Sequence, residues 1–326
     1  MDRRTMICTL VATAMARPIA ALAQTAAKAR IGWLAVGPIP ANMAAFRQAL
    51  RERGYSEGRN LVLEERYAST AEQYPKLIAD LIRLKVDVLV TTGGVASHEA
   101  KLATRETPIV FLTTDPVASG LVASLARPTE NLTGLSITTQ DFNAKRVETI
   151  VGMVPGITRL AALDDKSGAV ISDLQRAFWE ESEAAVRRFG IQLMPRVELQ
   201  SIDDVDEAFS AAVKEGAGAM LTISSSYFNV HKKRLVSAAA KAQLPTIYEH
   251  RDFVEAGGLV SYGPDLRDGF RLAASYVDKI LKGAKPADLP VEQVSKVELA
   301  INQRTARTLR LAIPQSLLLR ADEVIQ

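Results

Sequence analysis

Short apolar runs alternate with stretches of helical period along most of this 326-residue chain. Arg30–Val36 (RIGWLAV) is apolar and bounded by Gly37-Pro38, which predicts a buried strand. Ala41–Arg53 follows with Phe46, Ala49 and Leu50 on one helical face, and Gly54 stops it. The pattern continues as a strand over Asn60–Tyr67, a helix over Tyr74–Leu84 and a strand over Val86–Val90. A helix over Val95–Arg105, a strand over Ile109–Leu112, a helix over Val117–Ala126 and a strand over Asn131–Ile137 complete the first series. A second series then begins. Its strands fall at Arg159–Leu163, Ile191–Leu199, Ala219–Ile223 and Thr246–Tyr248, and its helices at Ile171–Phe189, Asp203–Lys214 and His231–Ala242. Strands separated by helices of this length pair in parallel through right-handed crossovers. Two series of similar size therefore predict an α/β protein with two doubly wound parallel-sheet lobes. No low-complexity tether separates them, so the expected junction is a close hinge.

Charge and composition narrow the function. The chain has 40 Lys+Arg against 37 Asp+Glu, with no clustered basic run, and this argues against a nucleic-acid partner. Arg3-Arg4, the uncharged stretch Thr5–Ala16 and the small-residue site Ala21-x-Ala23 predict an export signal over residues 1–23. Cys8, the single cysteine, lies inside that segment, so the mature chain is expected to hold neither disulfide nor thiolate. Arg17-Pro18 interrupts the apolar stretch well short of the roughly 20 residues that span a bilayer. The expectation is a soluble periplasmic protein whose mature chain does not insert in a membrane.

In parallel sheets ligands bind beyond the carboxyl ends of the strands, so the strand-to-helix loops are the places for chemistry. Thr92-Gly93-Gly94-Val95 combines hydroxyl, glycines and a helix start, which suits an anion such as a carboxylate. It lacks the Lys of a phosphate loop and the third Gly of a dinucleotide fingerprint, and no cofactor is implied. After the next strand, Thr114-Asp115-Pro116 offers a carboxylate that either holds a ligand ammonium or caps the following turn. Second-half loops place Asp164, Tyr227, Tyr248 and Glu249 at strand ends. Glu249 would pair with an ammonium or face solvent, and Tyr227 would stack on a ring or pack internally. His98 lacks a second His at metalloprotease spacing, His231 and His250 read as surface residues, and no nucleophile elbow occurs. An enzyme is disfavoured, and no metal site is expected.

Several words of sequence carry a resemblance. They are Ala45–Tyr55 (AFRQALRERGY) with Glu57-Gly58-Arg59-Asn60, Asp115-Pro116-Val117 with Gly120–Pro128 (GLVASLARP), and Asn131-Leu132-Thr133-Gly134. Asp252–Pro264 (DFVEAGGLVSYGP) and Tyr276–Pro286 (YVDKILKGAKP) follow. In combination they resemble the ABC-transporter substrate-binding protein family that includes tryptophan- and tyrosine-binding members, over essentially the whole mature chain. That resemblance implies a type I periplasmic-binding-protein fold with three hinge crossings, expected near Ile137, Tyr262 and Val291. Lobe 1 would then comprise residues 24–137 plus 263–290, and lobe 2 residues 138–262 plus 291–326. It further implies a small-molecule ligand, an amino acid or related carboxylate, handed to an inner-membrane ABC permease. Loops at Thr92–Val95, Asp115–Pro116, Asp164, Tyr227 and Tyr248–Glu249 would face the cleft. A periplasmic sensor lobe and a secreted α/β enzyme are the alternative readings.

Overall fold

The computed structural model describes residues 28–128, 131–137, 142–167 and 172–326; the expected export segment, residues 1–23, lies outside the described residues. The first series builds β1 (Ala29–Ala35), α1 (Pro40–Glu52), β2 (Leu61–Tyr67), α2 (Tyr74–Arg83), β3 (Val88–Thr92), α3 (Gly94–Ala103), β4 (Ile109–Thr114) and β5 (Leu132–Ile137). The second builds α4 (Phe142–Met153), β6 (Arg159–Asp165), α5 (Ser172–Arg188), β7 (Gln192–Leu193), β8 (Val197–Leu199), α6 (Val205–Lys214) and β9 (Ala219–Thr222). It continues through α7 (Ser226–Val230), α8 (Lys232–Lys241), β10 (Thr246–Tyr248), α9 (Arg251–Glu255) and β11 (Val260–Pro264). The chain closes with α10 (Leu266–Leu281), β12 (Glu292–Gln293), β13 (Val297–Asn302), α11 (Gln303–Thr308) and β14 (Glu323–Ile325).

Two sheets result, as the alternation predicts. The first has strand order β12-β5-β4-β3-β1-β2, all parallel; the second has β14-β13-β11-β10-β9-β6-β7, with β8 also on β6 and only β11–β13 antiparallel. Strands β3 and β4 are apolar nearly throughout because helices cover both sheet faces. Trp33 packs between Phe46 of α1 and Phe270 of α10, with ring centroids 5.1 and 5.5 Å away. Ile78, Leu81, Ala96 and Ala100 cover the other face. A single larger core fills the second lobe around Leu160–Leu163, Phe209, Met220 and Phe253.

The chain changes lobes where the strand orders require it. Tyr262 still pairs with Leu299 in the second sheet, and the passage to the first lobe falls between Pro264 and Leu266. Helix α10 then packs on the first sheet, and Glu292–Gln293 pairs with Leu135–Ser136 of β5. The return crossing therefore lies between Gln293 and Val297, a few residues later than the expected Val291. The crossing expected near Ile137 falls on residues outside the described ones.

Three local departures have physical causes. Val117–Ala126 forms turns rather than a helix, because its carbonyls accept from outside: Lys101 Nζ donates to Gly120 O and Leu121 O, and His98 Nε2 lies 2.9 Å from Ser119 O. Ile191–Leu199 splits into β7 and β8 at Pro195, which cannot donate to the ladder. Helix α4 has no counterpart in the sequence pattern, because its buried face carries Asn143, Arg146 and Thr149 among Val147, Ile150 and Met153, which interrupts the apolar stripe. Among the described residues no helix is long and apolar enough to cross a membrane.

Candidate functional site

The first sheet reverses its strand order between β1 and β3, and the second between β6 and β9; a crevice opens at such switch points beyond the strand carboxyl ends. The two crevices face each other across a cavity of about 150 Å³. Lobe 1 contributes Ala35–Gly37, Ile39, Asn42, Thr92–Gly94 and Leu112–Asp115. Lobe 2 contributes Arg146, Phe178, Glu181, Ile223–Ser226 and His250, while Leu266 and Phe270 of α10 close the back.

The lobes touch across the mouth. A Cβ at Gly93 would stand 2.8 Å from Ser226 Oγ, and one at Gly37 would stand 2.8 Å from Val230 Cγ1. Only glycine allows this approach, and Gly93 additionally has φ +92°, a conformation other residues rarely adopt. Gly93 is also the N-cap of α3, with no side-chain cap on that helix. Its own N–H is committed to Leu112 O at 2.9 Å, so the open donors are those of the first turn, Gly94, Val95 and Ala96. With the Thr92 hydroxyl beside them, they form an electropositive end suited to a carboxylate.

Asp115 caps the following turn and also stands on the cavity wall. Its Oδ1 accepts from Ala118 N at 2.9 Å. Its φ of +36° is a left-handed value that Asp tolerates better than most residues. Thr114 beside it also lines the cavity, whereas Pro116 is buried and Val95 packs on the lobe 1 core, neither among the lining residues.

The second-lobe residues singled out in the sequence lie behind or beside the cavity rather than on its wall. Tyr248 is fully buried, stacked on Phe253 with centroids 4.8 Å apart. Tyr227 turns its hydroxyl to accept from Ile202 N at 2.9 Å and packs its ring on His231. Asp164 is buried 3.4 Å from Lys166 and 3.8 Å from Arg196; desolvation raises its pKa against the pull of Lys166. Glu249 is not exposed but wholly buried, accepting from Thr222 Oγ1 at 2.9 Å and Ser225 N at 3.4 Å. Burial pushes its pKa up to about 7, with Arg146 opposing. His250, read as a surface residue, is buried against the cavity, and desolvation takes its pKa down to about 4. The imidazole is therefore neutral at physiological pH, and Nδ1–H donates to Pro264 O at 3.3 Å. His231 is half-buried.

Residues that sequence reasoning passed over make up much of the wall. Arg146 is 1 % exposed, donates Nη1 to Thr222 O at 3.0 Å and, among the described residues, leaves Nε without a partner. Burial lowers its pKa, with Glu249 and Glu181 supplying compensating negative charge. Glu181 accepts from Asn143 Nδ2 at 2.9 Å. Asn42 is equally buried with an unpartnered Oδ1, and Phe178 and Phe270 give the cavity its aromatic surface. The signal for Arg146 existed in the sequence. It shares an i, i+3, i+4, i+7 face with Asn143, Val147 and Ile150, and a charge on such a stripe marks either a buried pair or a ligand contact.

The cavity combines an apolar body, an open helix N-terminus, an acidic side chain in lobe 1 and a buried cation in lobe 2. That is a complement to a small amphipathic molecule bearing charges of both signs. Comparisons with known proteins agree with this geometry. The model of the family described as "ABC transporter substrate binding protein" matches residues 39–325. The chain is 25% identical over 272 residues to a tyrosine-binding protein of Clostridioides difficile, covering 81% of this chain and 75% of that one. A conserved domain protein from Vibrio cholerae superimposes with TM-score 0.81 and 26% identity, covering 91% of this chain and 99% of the other. The ABC domain from Streptococcus pneumoniae in complex with L-Trp gives TM-score 0.81 at 24% identity, covering 92% and 100%. The fold is that of type I periplasmic binding proteins, and the chain belongs to the ABC transporter substrate-binding protein family.

Proposed function

We propose that the protein is the periplasmic receptor of an ABC importer and carries an amino acid between its lobes to an inner-membrane permease. The observation that carries this reading is the cavity lined by both lobes at the facing switch points, apolar in body with charged side chains on its wall. In this reading Thr92 and the first-turn N–H groups of α3 hold the ligand carboxylate. Asp115 holds the ammonium through the oxygen that does not cap Ala118, since a buried unpaired cation is costly. Phe178 and Phe270 flank an apolar side chain, and the tyrosine-binding and L-Trp-bound relatives favour an aromatic one.

Calorimetry of the exported, ligand-stripped protein against tyrosine, tryptophan and phenylalanine tests the proposal. Ligand at 100 times its dissociation constant is expected to stabilise the fold by about 2.7 kcal/mol. Asp115→Asn keeps the turn cap and the left-handed backbone, so it removes charge alone; it is expected to lose most of that stabilisation. Glu181→Gln is expected to lose less. Absence of binding to any amino acid would overturn the proposal, and the reverse ranking of the two variants would move the ammonium to lobe 2.

A further inference from the structure

Arg146 is a poor fit to a purely structural role. A guanidinium has five donors, and taking it out of water is expensive unless those donors are met by acceptors. Here the side chain is 1 % exposed, and among the described residues it has one hydrogen bond, to the neutral carbonyl of Thr222, and keeps a buried Nε without a partner. Glu249, a source of compensating charge, already spends its oxygens on Thr222 Oγ1 and Ser225 N. Arg146 nevertheless lines the same cavity as Gly94, the first residue of α3. Lobe 2 reaches that helix end directly, since Ser226 stands against Gly93 four residues beyond the carbonyl that Arg146 grips.

We infer that Arg146 is the lobe 2 contact for the ligand carboxylate, resting on the amino-acid reading above. The anion is first received by the N–H groups of α3 in lobe 1. Arg146 arrives only as the lobes close, because the guanidinium is fixed to β9 of lobe 2 through Thr222. A carboxylate thus becomes the chemical feature that rewards closure. A ligand with the same side chain but a neutral head would enter lobe 1 and fail to hold the closed form. Arg146 is then a specificity-determining residue that separates acids from their neutral amides.

The test is a cycle of two ligands and two proteins. Tyrosine and tryptophan are titrated against L-tyrosinamide and L-tryptophanamide, using wild type and Arg146→Lys, which keeps the buried cation but loses the planar fork. Wild type is expected to prefer the acids by about 10- to 100-fold, the range of a charge-assisted contact. Arg146→Lys is expected to lose most of that preference while binding the amides as wild type does. Arg146→Met paired with Glu249→Gln, which removes both buried charges together, is expected to behave likewise. A wild-type readout needs no folded variant: the Arg146 Nε–H resonance is expected to shift on binding the acid and not the amide. Unchanged preference in folded variants, or equal shifts with both ligands, overturns the assignment while leaving the receptor reading intact. A wild type that binds no amino acid overturns both.

Discussion

At residue scale, Glu249 and His250 are adjacent, both buried, and both shifted towards their uncharged forms by the same desolvation, with opposite consequences for acid stability. Glu249 is raised from 4.5 to about 7, so its ionisation costs the folded state most above that value and nothing below 4.5. His250 is lowered from 6.5 to about 4, so stability is lost as pH falls through that interval and the unfolded chain takes up a proton. The two effects largely oppose each other between pH 4 and 7. Glu249→Gln removes one side of the balance. Relative to wild type, its stability is expected to fall on acidification from pH 7 to 4.5, by on the order of 3 kcal/mol at most. Urea midpoints of both proteins across that range measure the difference; a constant offset would show that Glu249 is ionised in the fold throughout. Neither burial was legible in the sequence, because Glu249-His250 follows a three-residue strand and reads as an exposed loop. The polar pair is buried only because α4, α9 and β11 close over it.

At element scale, α3 is the part of the site most nearly written in the sequence. Thr92-Gly93-Gly94 at the end of an apolar run identifies a strand-to-helix turn with an open helix end, and the structure supplies that turn. The sequence did not reveal that Gly93 N–H belongs to the β3–β4 ladder, so the first open donor of the helix end is that of Gly94. This makes Gly94→Pro a sharper test than any change at Gly93, where a side chain would be strained and would strike Ser226. Proline is compatible with the first helical position and deletes one N–H there. Amino-acid affinity is expected to fall about 10-fold, with the ligand-free melting temperature changed by no more than a few degrees. Calorimetry and thermal melts check this, and unchanged affinity would remove the Gly94 donor from the site. Helix α4 shows the opposite limit. Its buried face mixes polar with apolar residues, so periodicity marks Arg146 only ambiguously, and it is the packing of α4 on β9, β10 and β11 that shows Arg146 to be buried.

At the scale of the whole molecule, the lobes meet through small groups, with Gly37 against Val230 on one side and Gly93 against Ser226 on the other. Gly37 carries no unusual φ, so alanine there adds one methyl group without backbone strain. That methyl would sit 2.8 Å from Val230 Cγ1, which close packing does not allow, and the lobes must stay slightly apart. Gly37→Ala is expected to leave the ligand-free melting temperature nearly unchanged, to weaken amino-acid binding about 10-fold or more, and to blunt the ligand-induced contraction seen by small-angle X-ray scattering. Full contraction with wild-type affinity would mean that the Gly37–Val230 contact does not limit closure. The sequence by itself determined the local order of this protein: strand, helix and turn follow from apolar periodicity and from glycines and prolines, all acting over a few residues. It therefore disclosed two α/β lobes and the strand-end loops of lobe 1. The tertiary structure alone decided which side chains share the cavity, because Asn42, Arg146, the Phe178–Glu181 turn and Phe270 lie far apart in sequence and converge only when two sheets face each other. It also decided that Glu249, Tyr248 and Tyr227 stand behind the wall, since a strand's end fixes a residue's place but not the direction in which packing turns its side chain.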